Sequence, residues 1–278
     1  MAARRPCPAA GLCTAAADPA GAQAAANFRP EVGQEGKDVI WVPTPPALVT
    51  RMLQLAQVGP KDVVIDLGAG DGRIAIAAAK EFGAESLGIE YNPDMVELSI
   101  RNAAVAGVAA RVRFMRGDIF EADFSRATVV TMYLLSELNL RLRPKLLGMK
   151  PGTRVVSHQF GMGEWQPDET SYVDGRPAYF WVVPAKMGGL WSAHIGADAS
   201  RTFTLKLEQN FQKVSGSAAF GKLDTSLRDP SLRGDWLRFG LTDPDGKLRE
   251  YAGRVRGNRV AGDVLGPGVR SRWQAERD

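Results

Sequence analysis

The spacing of apolar residues changes near residue 165, and this change constrains the fold more than any other feature. Between residues 44 and 158, short apolar runs alternate with stretches whose apolar residues recur at helical spacing. Such alternation is typical of a parallel sheet covered by helices. After Trp165 the apolar residues recur at every second position, between turns rich in Gly, Asp and Asn. This second pattern predicts an antiparallel β-meander.

The length of the chain agrees with two folding units. Its 278 residues, 45% hydrophobic and 24% charged, suffice for two ordinary cores. We predict a leader or disordered extension at 1–37, an α/β domain at 38–187 and an all-β accessory domain at 188–278. The accessory domain is expected to be a small barrel or sandwich packed on the first domain.

The first 26 residues are rich in Ala, Pro and Gly and contain both cysteines, Cys7 and Cys13. With Arg4 and Arg5 near the start, they fit an export signal about as well as a disordered extension or a misassigned start. Because both cysteines lie there, we expect no disulfide framework and no Cys-based zinc site in the core.

Charge and hydropathy exclude further classes of protein. The 35 basic and 31 acidic residues give a net charge of +4 and are interleaved along the chain. This pattern is typical of a solvated surface, so we expect no nucleic-acid partner. No apolar run approaches the length of a transmembrane helix. With only two histidines, we also expect no metal site.

A glycine-rich loop follows the predicted strand at 63–65 and leads directly into a helix. Its sequence, Asp66-Leu67-Gly68-Ala69-Gly70-Asp71-Gly72, lets the backbone turn sharply and approach a ligand closely. A dinucleotide fingerprint would need its third glycine at position 73, which is Arg73. The two acids would repel a pyrophosphate. They suit a ligand with cationic groups, such as the sulfonium and ammonium of S-adenosylmethionine.

Two further carboxylates follow the next two predicted strands. Glu90 ends the second strand, 18 residues after Gly72 (90 − 72), where a carboxylate can accept from both ribose hydroxyls. Asp118 follows the third strand and can accept from an adenine amino group, while Ile119 or Phe120 covers the ring. Because the carboxyl ends of parallel strands share one crevice, these features together predict a nucleoside site.

On these motifs, residues 38–165 resemble a class I S-adenosylmethionine-dependent methyltransferase domain. More narrowly, the segments 41–45, 66–73, 128–135 and 142–147 resemble the subgroup with the mitochondrial protein-lysine methyltransferases of adenine nucleotide translocase and the ATP synthase c subunit. The subgroup often has Tyr where this chain has Trp41 and Pro where it has Ser136. The resemblance implies an α/β fold with a Rossmann-like seven-stranded-type sheet; the C-terminal antiparallel β domain is additional to it.

The predicted site residues follow from these motifs and from the resemblance. The residues expected to bind S-adenosylmethionine are Trp41, Pro43, Thr44, Asp66, Gly68, Ala69, Gly70, Gly72, Glu90, Tyr91, Asp118 and Ile119. The catalytic candidates are Tyr133, as part of an aromatic wall for the acceptor together with Trp41, and Glu137 and Asn139, as groups that orient an amine. Tyr133 could equally be a core aromatic, and Glu137 and Asn139 an exposed helix N-terminus. His158 is either a structural histidine or a base.

The predicted activity is methyl transfer from S-adenosylmethionine, with a protein lysine as the first choice of acceptor. The alternatives are a small-molecule O- or N-methyltransferase and a cofactor-binding regulatory protein without turnover. Cofactor supply favours the cytoplasm, whereas the leader leaves export or an envelope location open. The strand tryptophans of the C-terminal part are interpreted as core residues, with a ligand groove as the alternative. The oligomeric state is not predicted.

Overall fold

The computed structural model describes residues 28–196 and 201–278. Most of the predicted leader, with Cys7 and Cys13, lies outside the described residues. The export hypothesis therefore stays a prediction.

The first domain is a seven-stranded sheet with helices on both faces. Strands β1 to β5 are parallel, β7 pairs antiparallel with β5, and β6 pairs antiparallel with β7, in the order 3-2-1-4-5-7-6. This arrangement confirms the predicted fold class. The elements are α1 (Pro46–Leu55), β1 (Val63–Leu67), α2 (Arg73–Phe82), β2 (Glu85–Glu90), α3 (Pro93–Val105), β3 (Val112–Arg116), β4 (Val129–Met132), α4 (Ser136–Leu147), β5 (Arg154–His158), β6 (Glu169–Val173) and β7 (Arg176–Val182).

The central strands are buried on both faces because their alternate residues pack into two different cores. Val64 of β1 packs with helices α1 and α2, in a cluster that includes Leu53 and Ile74. Its neighbour Ile65 packs on the opposite face with Leu142 of α4. The sequence did not predict β6, since this edge strand is largely exposed and has no apolar alternation.

Helix starts differ in how their free N–H groups are satisfied. Asn92 caps α3 as its sequence predicts, because its side chain accepts from the N–H groups of Asp94 and Met95. The sequence also predicts Thr44 as the cap of α1, since it directly precedes Pro45 and Pro46, and this prediction is wrong. The capping position is Pro45, which has no side-chain hydrogen bond. The Thr44 hydroxyl instead lies 3.0 Å from Nδ1 of His158, at the end of β5.

The second unit is an antiparallel meander that closes on itself. Its first and last strands, β8 and β16, pair with each other. The two edge strands, β11 and β12, are consecutive in the chain, and Leu227 between them donates to the carbonyl of Gly216 on β10. The sheet therefore curls into a barrel. Its strands are β8 (Gly189–Ile195), β9 (Arg201–Asn210), β10 (Lys213–Phe220), β11 (Leu223–Ser226), β12 (Arg228–Arg233), β13 (Trp236–Thr242), β14 (Leu248–Arg256), β15 (Arg259–Gly266) and β16 (Val269–Arg277).

Aromatic side chains fill the barrel. Phe239 stacks on Tyr251 with ring centroids 5.1 Å apart, and Trp273 meets both rings edge-on at 5.6 Å. Trp191 is also fully buried, and its indole N–H donates to the carbonyl of Met187. The interpretation of the strand tryptophans as core residues therefore holds for Trp191 and Trp273. Trp236 is the exception, with 42% of its surface exposed.

The barrel packs on the first domain through the turns at one of its ends. Phe211, between β9 and β10, stacks on buried Trp165 with centroids 6.2 Å apart. Gly234, between β12 and β13, accepts from the N–H of Ala185 at 2.8 Å. The proposed boundary at 187/188 falls between the last strand of the first sheet and the first strand of the barrel. In the part of the chain that the structure describes, no helix is long and apolar enough to cross a membrane.

Trp273→Ala should lower the free energy of unfolding by about 3–5 kcal/mol, because it removes a fully buried indole and leaves a cavity beside the stacked rings of Phe239 and Tyr251. Trp236→Ala is the matched control and should cost about 1 kcal/mol or less, since this indole is partly exposed and contacts Arg254 at the surface. Guanidinium unfolding followed by far-UV circular dichroism measures both. Equal losses would contradict the assignment of Trp273 to the barrel core.

Candidate active site

A cavity of about 320 Å³ opens at the carboxyl ends of the central strands. It lies where β1 has β2 on one side and β4 on the other, so that the chain leaves β1 and β4 in opposite directions along the sheet. Open α/β sheets bind their ligands at such a switch point. The volume falls in the ordinary range for small-molecule sites.

The glycine loop forms one side of the cavity, and its glycines are required by close approaches. Gly70 has a φ of 57°, and a Cβ there would lie 2.7 Å from Nε1 of Trp41. Gly72 has a φ of 82°, and a Cβ there would lie 2.6 Å from the Phe114 ring. The N–H groups of Gly68 and Ala69 both donate to the carbonyl of Ile89 on β2. These contacts hold the loop against the neighbouring strand.

Residues 33–44, which we call the strap, cover the other side of the cavity. The strap is a short hairpin in which Gly33 donates to the carbonyl of Trp41 and Trp41 donates to that of Gln34. Its end is tied to the glycine loop, because the guanidinium of Arg73 donates to the carbonyl of Thr44 at 2.9 Å. The strap therefore carries Trp41 to Gly70 and leaves both residues lining the cavity.

Asp66 brings a buried carboxyl to the cavity. It is 2% exposed, and its Oδ1 accepts from the hydroxyl of Thr131 on β4 at 2.7 Å. Burial raises the pKa of Asp66 to about 7; the Thr131 hydrogen bond opposes this shift, and the carboxylates of Glu90 and Asp71 add to it. A cation that enters the cavity would therefore favour the ionised form of Asp66.

Glu90 and Asp118 are held at the ends of β2 and β3. Glu90 accepts from the N–H of Gly70 at 2.9 Å and from that of Asn92 at 3.0 Å, so its carboxylate is fixed in one orientation. Asp118 forms an ion pair with Lys37 of the strap and accepts from the N–H of Phe120. The Lys37 hydrogen bond holds the pKa of Asp118 below its usual range.

Three aromatic side chains lie near the end of β4: Tyr133, His158 and Phe160. We call them the acceptor wall, after the role that the sequence predicts for Tyr133. The Tyr133 ring lies 3.8 Å from that of His158 and 6.2 Å from that of Phe160, centroid to centroid. Tyr133 and Phe160 line the cavity, whereas His158 is 2% exposed behind them. Burial, with a smaller contribution from Arg176, lowers the pKa of His158 to about 4, so this ring is neutral at neutral pH.

The structure brings most of the predicted site residues together. The predicted residues that line the cavity are Trp41, Pro43, Thr44, Asp66, Gly68, Ala69, Gly70, Glu90, Tyr91, Asp118, Ile119 and Tyr133. Gly72, the last residue of the loop, packs against Phe114 and does not line the cavity. Glu137 is exposed and does not line the cavity. Asn139 is fully buried and does not line the cavity either, so it does not belong to an exposed helix N-terminus.

Sequence reasoning did not find several residues that line the cavity, among them Lys37 and Phe160. Lys37 lies in a segment that carries no periodic pattern, and Phe160 follows β5 in a turn. Both residues reach the cavity only because the tertiary structure brings their segments to the strand ends. Within the two described ranges, no group of three or more His, Cys, Asp or Glu side chains is arranged to hold a metal ion.

The residues present fit S-adenosylmethionine. Glu90 and Asp118 offer acceptors for ribose hydroxyls and an adenine amino group, at neighbouring strand ends. Asp66 places a carboxyl deep in the cavity, where a cation favours its ionised form. Gly68 and Gly70 have left-handed backbone and line the cavity without a Cβ.

Comparison with known proteins agrees with this site. The sequence profile of the family described as ANTKMT methyltransferase domain matches residues 66–169. A protein-lysine N-methyltransferase of Saccharolobus islandicus is 47% identical over 151 residues, which are 52% of this chain and 94% of that protein. The adenine nucleotide translocase lysine N-methyltransferase of Mus musculus is 36% identical over 120 residues, 43% of this chain and about half (52%) of that protein.

A solved structure agrees as well. The RNA methyltransferase from Salinibacter ruber, in complex with S-adenosyl-L-homocysteine, has 53% sequence identity and a TM-score of 0.52. The match covers 52% of this chain and 96% of that one. The fold, the cavity and these similarities together define an S-adenosylmethionine-dependent methyltransferase. The chain belongs to the family of the ANTKMT methyltransferase domain, and S-adenosylmethionine is its cofactor.

The affinity for S-adenosylmethionine should increase as the pH rises through 7. A bound cation favours ionised Asp66, and below its pKa of about 7 the carboxyl must first lose its proton. The dissociation constant should therefore fall by about tenfold between pH 6 and pH 8. Asp66→Asn cannot ionise and should remove most of this dependence in isothermal titration. If the variant and the natural protein show the same pH dependence, Asp66 does not face the cationic part of the cofactor.

Proposed function

We propose that the enzyme transfers a methyl group from S-adenosylmethionine to the side-chain amine of a protein lysine. The observation that carries the proposal is the aromatic, uncharged acceptor wall, of which Tyr133 and Phe160 line the same cavity as the predicted cofactor residues. The name of the Saccharolobus islandicus relative, of which this chain covers almost the whole length, supports it.

Residues at three strand ends bind different parts of the cofactor. We assign the ribose to Glu90, the adenine amino group to Asp118 and the cationic end to Asp66. The cofactor supplies an electrophilic methyl group on a sulfonium. Trp41, Pro43 and Thr44 of the strap close the cavity above it, which excludes water and restricts the approach of a nucleophile.

The acceptor wall suits an amine that must react in its neutral form. An apolar pocket lowers the pKa of a lysine, because burial disfavours the ammonium. The wall adds no positive charge of its own, since burial keeps His158 neutral, and burial also raises the pKa of Tyr133, which keeps its hydroxyl protonated. The faces of Tyr133 and Phe160 can then stabilise the methylated cation that forms.

Methylation of RNA is the second candidate, because the similar Salinibacter ruber structure is described as an RNA methyltransferase. The two candidates differ in the polymer that receives the label. Purified enzyme is incubated with methyl-tritiated S-adenosylmethionine and cell lysate, and the product is treated with nuclease or hydrolysed to amino acids. Methyllysine in the hydrolysate supports the proposal. Label that nuclease removes overturns it in favour of RNA, and label confined to small molecules overturns both.

Glu90→Ala should weaken binding of S-adenosylhomocysteine by about 10- to 100-fold, since it removes a fixed charged acceptor worth about 1.5–3 kcal/mol. Glu97→Ala is the matched control, because Glu97 is exposed on α3 and makes only a 4.0 Å contact with Arg101. Isothermal titration should give this control the affinity of the natural protein. Unchanged binding by Glu90→Ala would show that the ribose lies elsewhere.

A further inference from the structure

The chain leaves β5 in a tight turn, residues 157–161, and a buried side chain of α4 contacts this turn. Asn139 of α4 is fully buried, and its Nδ2 lies 3.0 Å from the carbonyl oxygen of Phe160 and 3.3 Å from that of Gly161. It also donates to the hydroxyl of Ser157 at 3.2 Å. Within the described residues, Oδ1 of Asn139 has no hydrogen-bond partner. The side chain therefore acts through its donors.

The turn has a backbone conformation that the local sequence does not favour. Gln159 has a φ of 68°, in the left-handed region that L side chains rarely adopt. Its N–H donates to the carbonyl of Pro177, and the hydroxyl of Ser157 donates to that of Phe160 at 2.7 Å. Such a conformation persists only where surrounding contacts impose it. Asn139 supplies three of those contacts.

The same turn carries two members of the acceptor wall, His158 and Phe160. The third member, Tyr133, lies at the end of β4, six residues before Asn139 (139 − 133). The amide of Asn139 thus ties Phe160 to the chain segment that carries Tyr133. Thr44 holds His158 from the opposite side, through its hydroxyl.

The rest of this connection is anchored independently of Asn139. The guanidinium of Arg143 donates to the carbonyl of Met162 at 2.9 Å, and Trp165 stacks on Phe211 of the barrel. Loss of the Asn139 contacts should therefore loosen the turn without releasing the whole segment.

We propose that Asn139 is a positioning residue, which holds the turn so that His158 and Phe160 stay packed against Tyr133 and the acceptor wall keeps its shape. This inference rests on the proposed lysine transfer. It replaces the prediction that Asn139 orients the amine by direct contact, because the side chain is fully buried and does not line the cavity.

The test compares Asn139→Leu, which keeps the approximate shape but has no donor, with the milder Ser157→Ala. Asn258→Leu, on an exposed turn of the barrel, is the matched control. The rate of methyllysine formation in lysate protein should fall at least tenfold for Asn139→Leu, less for Ser157→Ala and not for the control. Isothermal titration should give every variant an affinity for S-adenosylhomocysteine within twofold of the natural protein.

Hydrogen exchange supplies a readout that needs no acceptor. In Asn139→Leu the N–H groups of Gln159 and Phe160 should exchange at least tenfold faster, whereas those of Gly68 and Ala69 keep their rates. Unchanged exchange or unchanged methylation overturns the inference. A loss of cofactor affinity as large as the loss of rate also overturns it, because Asn139 would then support the whole domain. If Asn139→Leu does not fold, Ser157→Ala decides by the same measurements.

The two proposals fail in distinguishable ways. If the natural enzyme forms no methyllysine, the proposed function is wrong, while hydrogen exchange still decides whether Asn139 holds the turn. If the natural enzyme forms methyllysine and Asn139→Leu does so at the same rate, only the positioning role is wrong.

Discussion

The parallel pairing of β1 with both β2 and β4 is the constraint on which the whole site depends. It places the carboxyl ends of three strands at one edge and makes the chain leave β1 and β4 in opposite directions. The glycine loop can then lie against β2, with two of its N–H groups on Ile89. Without this pairing, Asp66 and Glu90 would not face a common cavity.

The electrostatics of the cavity follow from that geometry. Placing Asp66, Asp71 and Glu90 close together is unfavourable for all three, and Asp66 bears the cost because it is buried. Asp71 is compensated by its ion pair with Arg73, and Glu90 by two backbone N–H groups. The negative charge that remains uncompensated can attract a cationic cofactor. On the assignment that we propose, a bound cationic cofactor would relieve this unfavourable arrangement of charges.

The acceptor side is built differently, from aromatic packing held by buried hydrogen bonds. Thr44 and Asn139 each hold one part of the turn after β5, and neither is itself part of the acceptor wall. The barrel reaches the same segment through the contact of Phe211 with Trp165. The relatives from Saccharolobus and Salinibacter match almost their whole length to about half of this chain. The barrel is therefore attached to a methyl-transfer unit through the connection that also forms the acceptor wall.

Local sequence patterns were enough to predict the donor side of the cavity. The glycine loop, the acids at successive strand ends and the change of apolar period at residue 165 are local patterns, and each follows from backbone geometry over a few residues. The other features of the site depend on the tertiary structure. Lys37 and Phe160 reach the cavity, Glu137 stays outside it, and Thr44 bonds to His158 and does not cap a helix. These outcomes depend on contacts between segments up to 114 residues apart, and no local propensity encodes such contacts.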